Sequence, residues 1–277
     1  MKTNPIINID ELLQISNHSN LRIFDVRTGP NAKEDYQKKH LKNAVFVDLN
    51  TDLAEINDPK NGGRHPLPTF SNFIKTLGKL GIDKDSEVVI YDDKNGANAG
   101  ARFWWMLKAV GHKNVRVLNG GLQSAENQNY PLNSGNENYP KTDYIADFND
   151  WQLPQVWIDD VKSATENLDN LIVDVRESQR YQGITEPIDL VAGHIPNAEN
   201  FPFSENLDEN GLFKSPEILK EKYTEFFKNK DSKQIIFHCG SGVTACHSLL
   251  ALDYAGFEIP NLYVGSWSEW SRNFDDV

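Results

Sequence analysis

Cysteine is scarce in this chain of 277 residues: there are two, Cys239 and Cys246. Two thiols cannot build a disulfide scaffold or an all-cysteine metal site, and such sparing use fits a reducing cytoplasm. Positive charge is also in deficit, with 28 Lys and Arg against 40 Asp and Glu and a formal net charge of −12. A nucleic-acid groove or an anionic membrane surface is therefore an unfavourable partner. No apolar run approaches the roughly 20 residues of a membrane span. The start, MKTNPIINIDELL, lacks the apolar stretch of a signal peptide and carries acids that a mitochondrial leader avoids. What remains is an ordinary globular composition, 39% hydrophobic and 25% charged. At about 150 residues per domain, the length predicts two domains.

The chain repeats itself once, in order. LRIFDVRT (21–28) returns as LIVDVRES (171–178), each a β-branched run that ends in Asp-Val-Arg. KKHLKNAVFVDL around His40 is answered by AGHIPNAENFPF around His194. EVVIYDD (87–93) pairs with KQIIFHC (233–239), and both lead through a glycine-containing turn into a helix-like stretch. A further short strand closes each half, VRVLNGG (115–121) and LYVGSWS (262–268). Five ordered matches indicate a duplication.

Within each half, strands of four to seven apolar residues alternate with longer helical segments. That alternation predicts an α/β domain with a mostly parallel sheet flanked by helices. Residues 133–155 are rich in Asn, Ser, Gly, Asp and Pro and lack periodicity, which reads as a linker. The expected organisation is a first domain over 1–132, the linker over 133–155 and a second domain over 156–277. A long irregular stretch, 50–68, interrupts the first half; loops of that length in compact domains are often functional.

The halves differ where it matters, at the turn from strand to helix. The second half reads His238-Cys239-Gly240-Ser241-Gly242-Val243-Thr244; the first has Asp92 where the second has Cys239. Ligands of open α/β sheets bind beyond the carboxyl ends of the strands. A cysteine there sits at a helix N-terminus, where free N–H groups favour an anion, an environment that acidifies thiols. The Gly-Ser-Gly sequence lets successive N–H groups fold inward as an anion-binding nest. Cys239 is therefore the candidate nucleophile, and the first half is chemically silent. Phosphatases and arsenate reductases close such a loop with Cys-x5-Arg. Here the sixth residue after the cysteine is Ala245, so phosphate-ester chemistry is disfavoured.

With these motifs in hand, the chain resembles the rhodanese superfamily, and its two-domain sulfurtransferases in particular, over nearly its whole length. Cys239-Gly240-Ser241-Gly242-Val243-Thr244 resembles the loop signature of 3-mercaptopyruvate sulfurtransferases, whereas thiosulfate-preferring members place basic residues directly after the cysteine. GHIPNA (193–198), YDDKNGANAGARFWWML (91–107) and GSWSEW (265–270) are similar to family segments. The resemblance implies tandem rhodanese-like domains, the first silent and the second catalytic. It implies that Cys239 takes sulfur from a small-molecule donor as a persulfide. A thiol, cyanide or a thioredoxin-like protein then removes it, giving ping-pong kinetics. The backbone of Gly240, Ser241, Gly242, Val243 and Thr244 would hold the persulfide's charge. No metal or organic cofactor is implied, and the family is often monomeric.

By the same resemblance, Arg180 matches the arginine that reaches the donor's anionic group, as a guanidinium fork suits a carboxylate. Several mercaptopyruvate enzymes carry a second arginine nine residues later; here that position is Asp189. His65 is similar to a family histidine that relays with the loop serine, here Ser241. The acid that would orient the histidine is replaced by Asn50, so a full Ser–His–Asp relay is not expected. Arg64, beside it, adds positive potential. The remaining groups read as structural. Asp25 with Arg27 and Asp174 with Arg176 cap turns as ion pairs. His40 and His194 occur in both halves, Trp104 and Trp105 lie on an apolar helix, and Cys246 packs two turns along its helix. Thiosulfate:cyanide sulfurtransfer and a non-turnover persulfide carrier docking on a partner protein are the alternatives that the same machinery leaves open.

Overall fold

The apolar runs Leu21–Asp25, Glu87–Tyr91, Leu171–Asp174 and Ile235–His238 are buried almost throughout, as strands covered on both faces by helices must be. The computed structural model describes residues 4–274. They form two units, one of residues 4–53, 68–152 and 210–212, the other of residues 54–67, 153–209 and 213–274.

In the first unit five strands run in the order Ala44–Phe46, Leu21–Asp25, Glu87–Tyr91, Val115–Leu118, Ile6–Ile7, every pair parallel. In the second the order is Ala198–Asn200, Leu171–Asp174, Ile235–His238, Asn261–Tyr263, Gln155–Val156, again all parallel. The two orders are the same, strand for strand, so the duplication seen as ordered motifs is a duplication of topology. Register agrees as well: Asp25 lies opposite Tyr91, and Asp174 opposite His238. Asp92 and Cys239 thus leave the same point of their sheets.

The repeated motifs do repeated structural work. The Arg27 guanidinium donates to Asp25 at 2.5–3.1 Å and to the Lys39 carbonyl at 2.9 Å. Arg176 does the same with Asp174 at 2.6–3.0 Å and the Gly193 carbonyl at 2.7 Å. Burial alone would raise the Asp174 pKa, but the neighbouring His238 and the bonded Arg176 outweigh it and hold the carboxyl below its usual range. His40 stacks on Tyr36 and His194 on Tyr181, each with Nδ1 2.8 Å from that tyrosine's carbonyl oxygen. A pairing present in both units, including the one without a cysteine, is architecture. Trp104 and Trp105 are fully buried.

The units do not follow the halves of the chain. Residues 133–152 pack on the first unit, anchored by aromatic side chains. Tyr139 accepts the Ile23 N–H at 3.0 Å and donates to the Asn43 carbonyl at 2.7 Å, and Trp151 packs against Phe73. Residues 54–67, part of the long irregular stretch, belong instead to the second unit. Among the described residues no helix is long and apolar enough to cross a membrane.

Candidate active site

Strand Ile235–His238 ends at Cys239, which is buried, and helix Ala245–Tyr254 begins six residues later. The helix is buried all round, with every residue from Ala245 to Asp253 inside the unit, so the loop at its head rests on a rigid post. Its one imidazole, His247, is sandwiched near Phe213 and Phe203, and burial pushes its pKa down to about 3. The loop is pinned from one side. The Cys239 N–H donates to Ser266 Oγ at 3.2 Å. The carbonyls of Cys239 and Gly240 accept the N–H groups of Trp267 and Ser268 at 3.0 and 2.9 Å. Gly242 sits at φ +70°, and a Cβ there would run into the Val264 carbonyl oxygen, so only glycine lets the chain turn this closely.

With its carbonyls tied back, the loop keeps its donors. The N–H groups of Gly240, Ser241, Val243 and Thr244 make no hydrogen bond among the described residues. The first unit shows what such a loop binds. There the carboxylate of Asp92 accepts the N–H groups of Lys94, Gly96, Asn98 and Gly100 at 2.8–3.2 Å. Burial raises the Asp92 pKa against the lowering effect of those bonds. The silent loop is an anion nest filled by its own side chain, whereas the loop after Cys239 carries a thiol and open donors.

Residues 62–65 reach this loop through the second unit. The Gly62 N–H donates to Glu269 at 2.7 Å and the Arg64 N–H to Ser268 Oγ at 3.1 Å. Gly63, at φ +79°, lies so close that a Cβ would strike the Gly265 carbonyl oxygen. This docking sets His65 Nδ1 2.9 Å from Ser241 Oγ. It also sets Arg64 beside Gly240, where a Cβ would lie 3.2 Å from Arg64 Nη2 and 3.5–3.6 Å from the two terminal nitrogens of Arg180. Arg180 is held by Glu186, with Nη2 to oxygen distances of 2.7 and 3.0 Å. Burial raises the Glu186 pKa, but the N–H groups of Asp189 and Ile188 and the charge of Arg180 bring it net below its usual range. Asp189 is ion-paired with Arg64, Arg272 and Arg180, the last two at 3.2 and 3.5 Å.

Every residue singled out for the site, Cys239, Gly240, Ser241, Gly242, Val243, Thr244, Arg180 and His65, thus lies in the second unit, and His65 meets Ser241 directly. Asn50 lies in the first unit, in an exposed turn with its N–H on Asp48 at 2.7 Å. Sequence reasoning missed Glu186 and Arg272. Glu186, six residues after Arg180 in a polar loop, has only that proximity as a signal; Arg272, on a terminal polar helix, has none. Among the described residues no cluster of His, Cys, Asp and Glu is arranged to hold a metal ion.

Two tandem parallel sheets, one carrying an open thiol loop and the other its self-filled counterpart, define a duplicated α/β class with a single thiol site. Comparison with known proteins agrees. The model of the rhodanese-like domain matches residues 8–128 and 158–273. A probable 3-mercaptopyruvate sulfurtransferase of Pseudomonas aeruginosa is 38% identical over 239 residues, 85% of this chain and 82% of that protein. A thiosulfate sulfurtransferase of Gallus gallus is 33% identical over 259 residues, 90% of this chain and 86% of that protein. The structure of 3-mercaptopyruvate sulfurtransferase from Leishmania major superposes with a TM-score of 0.84 at 29% identity, over 99% of this chain and 76% of that one. The chain belongs to the rhodanese family, as a two-domain sulfurtransferase.

Proposed function

We propose that the enzyme takes sulfur from 3-mercaptopyruvate, carries it as a persulfide on Cys239 and passes it to a thiol, a thioredoxin-like protein or cyanide. The Cys239 thiolate attacks the donor sulfur; the new S–S bond forms as the C–S bond breaks, and that bond's electrons leave as the enolate of pyruvate. The enolate takes one proton and becomes pyruvate. The acceptor then attacks the outer sulfur and regenerates the thiolate, a two-step exchange of ping-pong type. In this reading the N–H groups of Gly240, Ser241, Gly242, Val243 and Thr244 stabilise the persulfide anion. Arg180 receives the donor carboxylate. Residues 1–132 form the silent repeat, 133–155 the linker and 156–277 the catalytic repeat, which borrows His65. The protein acts as a cytoplasmic monomer, in keeping with two free thiols.

The observation that carries the donor assignment is the His65–Ser241 hydrogen bond at 2.9 Å. An enolate leaving group must be protonated, and a hydroxyl backed by imidazole supplies that proton. Sulfite, the leaving group of thiosulfate, needs none. The absence of a basic side chain at Gly240 and Ser241 supports the same choice.

The test compares kcat/KM for 3-mercaptopyruvate and thiosulfate, with cyanide as acceptor, in the wild type and in Cys239→Ser. A preference for mercaptopyruvate above about tenfold, roughly 1.4 kcal/mol of transition-state discrimination, is expected. Equal rates or a thiosulfate preference would overturn the donor, and turnover surviving in Cys239→Ser would overturn the nucleophile.

A further inference from the structure

The four open donors of the cysteine loop share a cause. A trans peptide unit is planar, with its C=O and N–H pointing opposite ways, so tying back the carbonyl turns the N–H out. The Gly240 N–H belongs to the unit whose carbonyl, that of Cys239, accepts the Trp267 N–H at 3.0 Å. The Ser241 N–H follows the Gly240 carbonyl, which accepts the Ser268 N–H at 2.9 Å. The Thr244 N–H follows the Val243 carbonyl, which accepts the Cys246 N–H at 3.1 Å. These three ties are made by main-chain groups, which a side-chain substitution leaves in place. The Val243 N–H follows the Gly242 carbonyl, and there a side chain makes the tie: Cys246 Sγ donates to that oxygen at 3.4 Å. Gly242 is also where the loop is least stiff. Its φ of +70° suits the turn, but without a Cβ the residue accepts other orientations of the next peptide at little cost.

We infer that Cys246 is a positioning residue for sulfur transfer: its S–H holds the Gly242 carbonyl and so keeps the Val243 N–H among the donors that receive the anionic sulfur of Cys239. The inference rests on the sulfurtransferase reading above and deepens it. Cys246 is fully buried in the helix behind the loop, so its thiol is screened from sulfur donor and acceptor and serves as a hydrogen-bond donor rather than a nucleophile. A serine hydroxyl supplies the same bond; alanine and valine do not. Without the tie the Gly242–Val243 peptide turns freely, and one of the preset donors for the thiolate and the persulfide is lost.

The test compares Cys246→Ala, Cys246→Val and Cys246→Ser in the full chain. It reads kcat and KM for 3-mercaptopyruvate with cyanide as acceptor, and the rate at which iodoacetamide alkylates Cys239 at neutral pH. Valine refills the volume without a donor, whereas serine restores the donor in a smaller volume. Cys246→Ala and Cys246→Val lower kcat and slow alkylation by about tenfold, near the lower end for losing one hydrogen bond to a charged group, while KM changes less than about twofold. Cys246→Ser stays within about threefold of the wild type in both rates. If the cavity left by alanine prevents folding, the valine and serine variants decide the comparison. A packing role predicts the reverse order, with valine the better substitute. Serine no better than valine, or kcat and alkylation unchanged in Cys246→Val, overturns the inference. Alkylation needs no sulfur donor, so that result stands apart from the donor assignment, which the comparison of 3-mercaptopyruvate with thiosulfate decides.

Discussion

His65 and Ser241 stand 176 residues apart in the chain, yet Nδ1 of the histidine lies 2.9 Å from Oγ of the serine. The contact exists because the peptide before His65 is docked on Ser268 and Glu269, at the head of the helix that follows the last strand. In the proposed mechanism the Ser241 hydroxyl, two residues after Cys239, and the imidazole bonded to it form a short proton path assembled from the two halves of the chain.

Removing either end of that path slows the step that needs a proton. Ser241→Ala and His65→Ala each lower kcat for 3-mercaptopyruvate by about 10²-fold, the lower end for general acid–base groups, and the double variant falls no further than the worse single one. Thiosulfate turnover declines much less. Steady-state kinetics with both donors check this, and two multiplicative losses would show that the residues act independently.

The docking itself is open to a one-atom test. Gly63→Ala places a methyl against the Gly265 carbonyl oxygen and 2.7 Å from Ser268 Oγ, at a φ of +79° that alanine disfavours by about 1 kcal/mol. The segment lifts, and kcat/KM for 3-mercaptopyruvate falls at least tenfold, about the effect of losing one of its charged hydrogen bonds. The melting temperature drops by only about 2–4 °C per kcal/mol of strain. Large loss of activity with small loss of stability is the signature; the reverse pattern would place the glycine in the folding core instead.

Asp92 predicts the opposite pattern. Its buried carboxylate satisfies four peptide N–H groups of a partly buried loop. Asp92→Ala strands them, at about 1–3 kcal/mol for each donor that water fails to reach. Calorimetry should show the melting temperature lowered by more than about 5 °C, while sulfur transfer per folded molecule keeps its wild-type rate. A stable Asp92→Ala protein would mean the nest does not need its anion.

Acid stability tests the buried helix. His247 has its pKa pushed down to about 3 by burial, from the 6.5 of a solvated imidazole. Between those values the unfolded chain binds a proton that the folded one refuses, so its contribution to stability is present above about pH 6.5 and is lost as pH falls toward 3. The added slope is up to about 1.4 kcal/mol per pH unit. Urea unfolding between pH 7 and pH 4 should show that His247→Gln is less acid-sensitive than the wild type by up to one proton. Equal slopes would mean the imidazole is hydrated in the folded state.

Much of this was legible in the residues because the signals are local. Apolar runs such as IIFH and VVIY announce buried parallel strands, and Cys239 followed by Gly-Ser-Gly announces a thiol at a strand-to-helix turn. Asp92 could be read as the loss of a nucleophile. That it fills the nest in place of an anion needs the loop's conformation, since four donors spread over seven residues leave no pattern in the sequence. Arg64 and Asp189 were further out of reach. Their meeting depends on Gly63 fitting beside Gly265, about two hundred positions away, and no periodicity encodes that fit. Asp189 reads in sequence as a missing positive charge; in space it is what holds one in place.

The segment 54–67 has a consequence for how this protein can be divided. A fragment beginning at Leu153 contains a complete five-stranded sheet and the cysteine loop, but neither His65 nor Arg64. Its counterpart contains both residues and no thiol. With residues 54–67 counted in the second unit, neither fragment would carry the whole of the proposed site. On the proposed mechanism, the thiol of one repeat works with side chains that the sequence of the other repeat supplies.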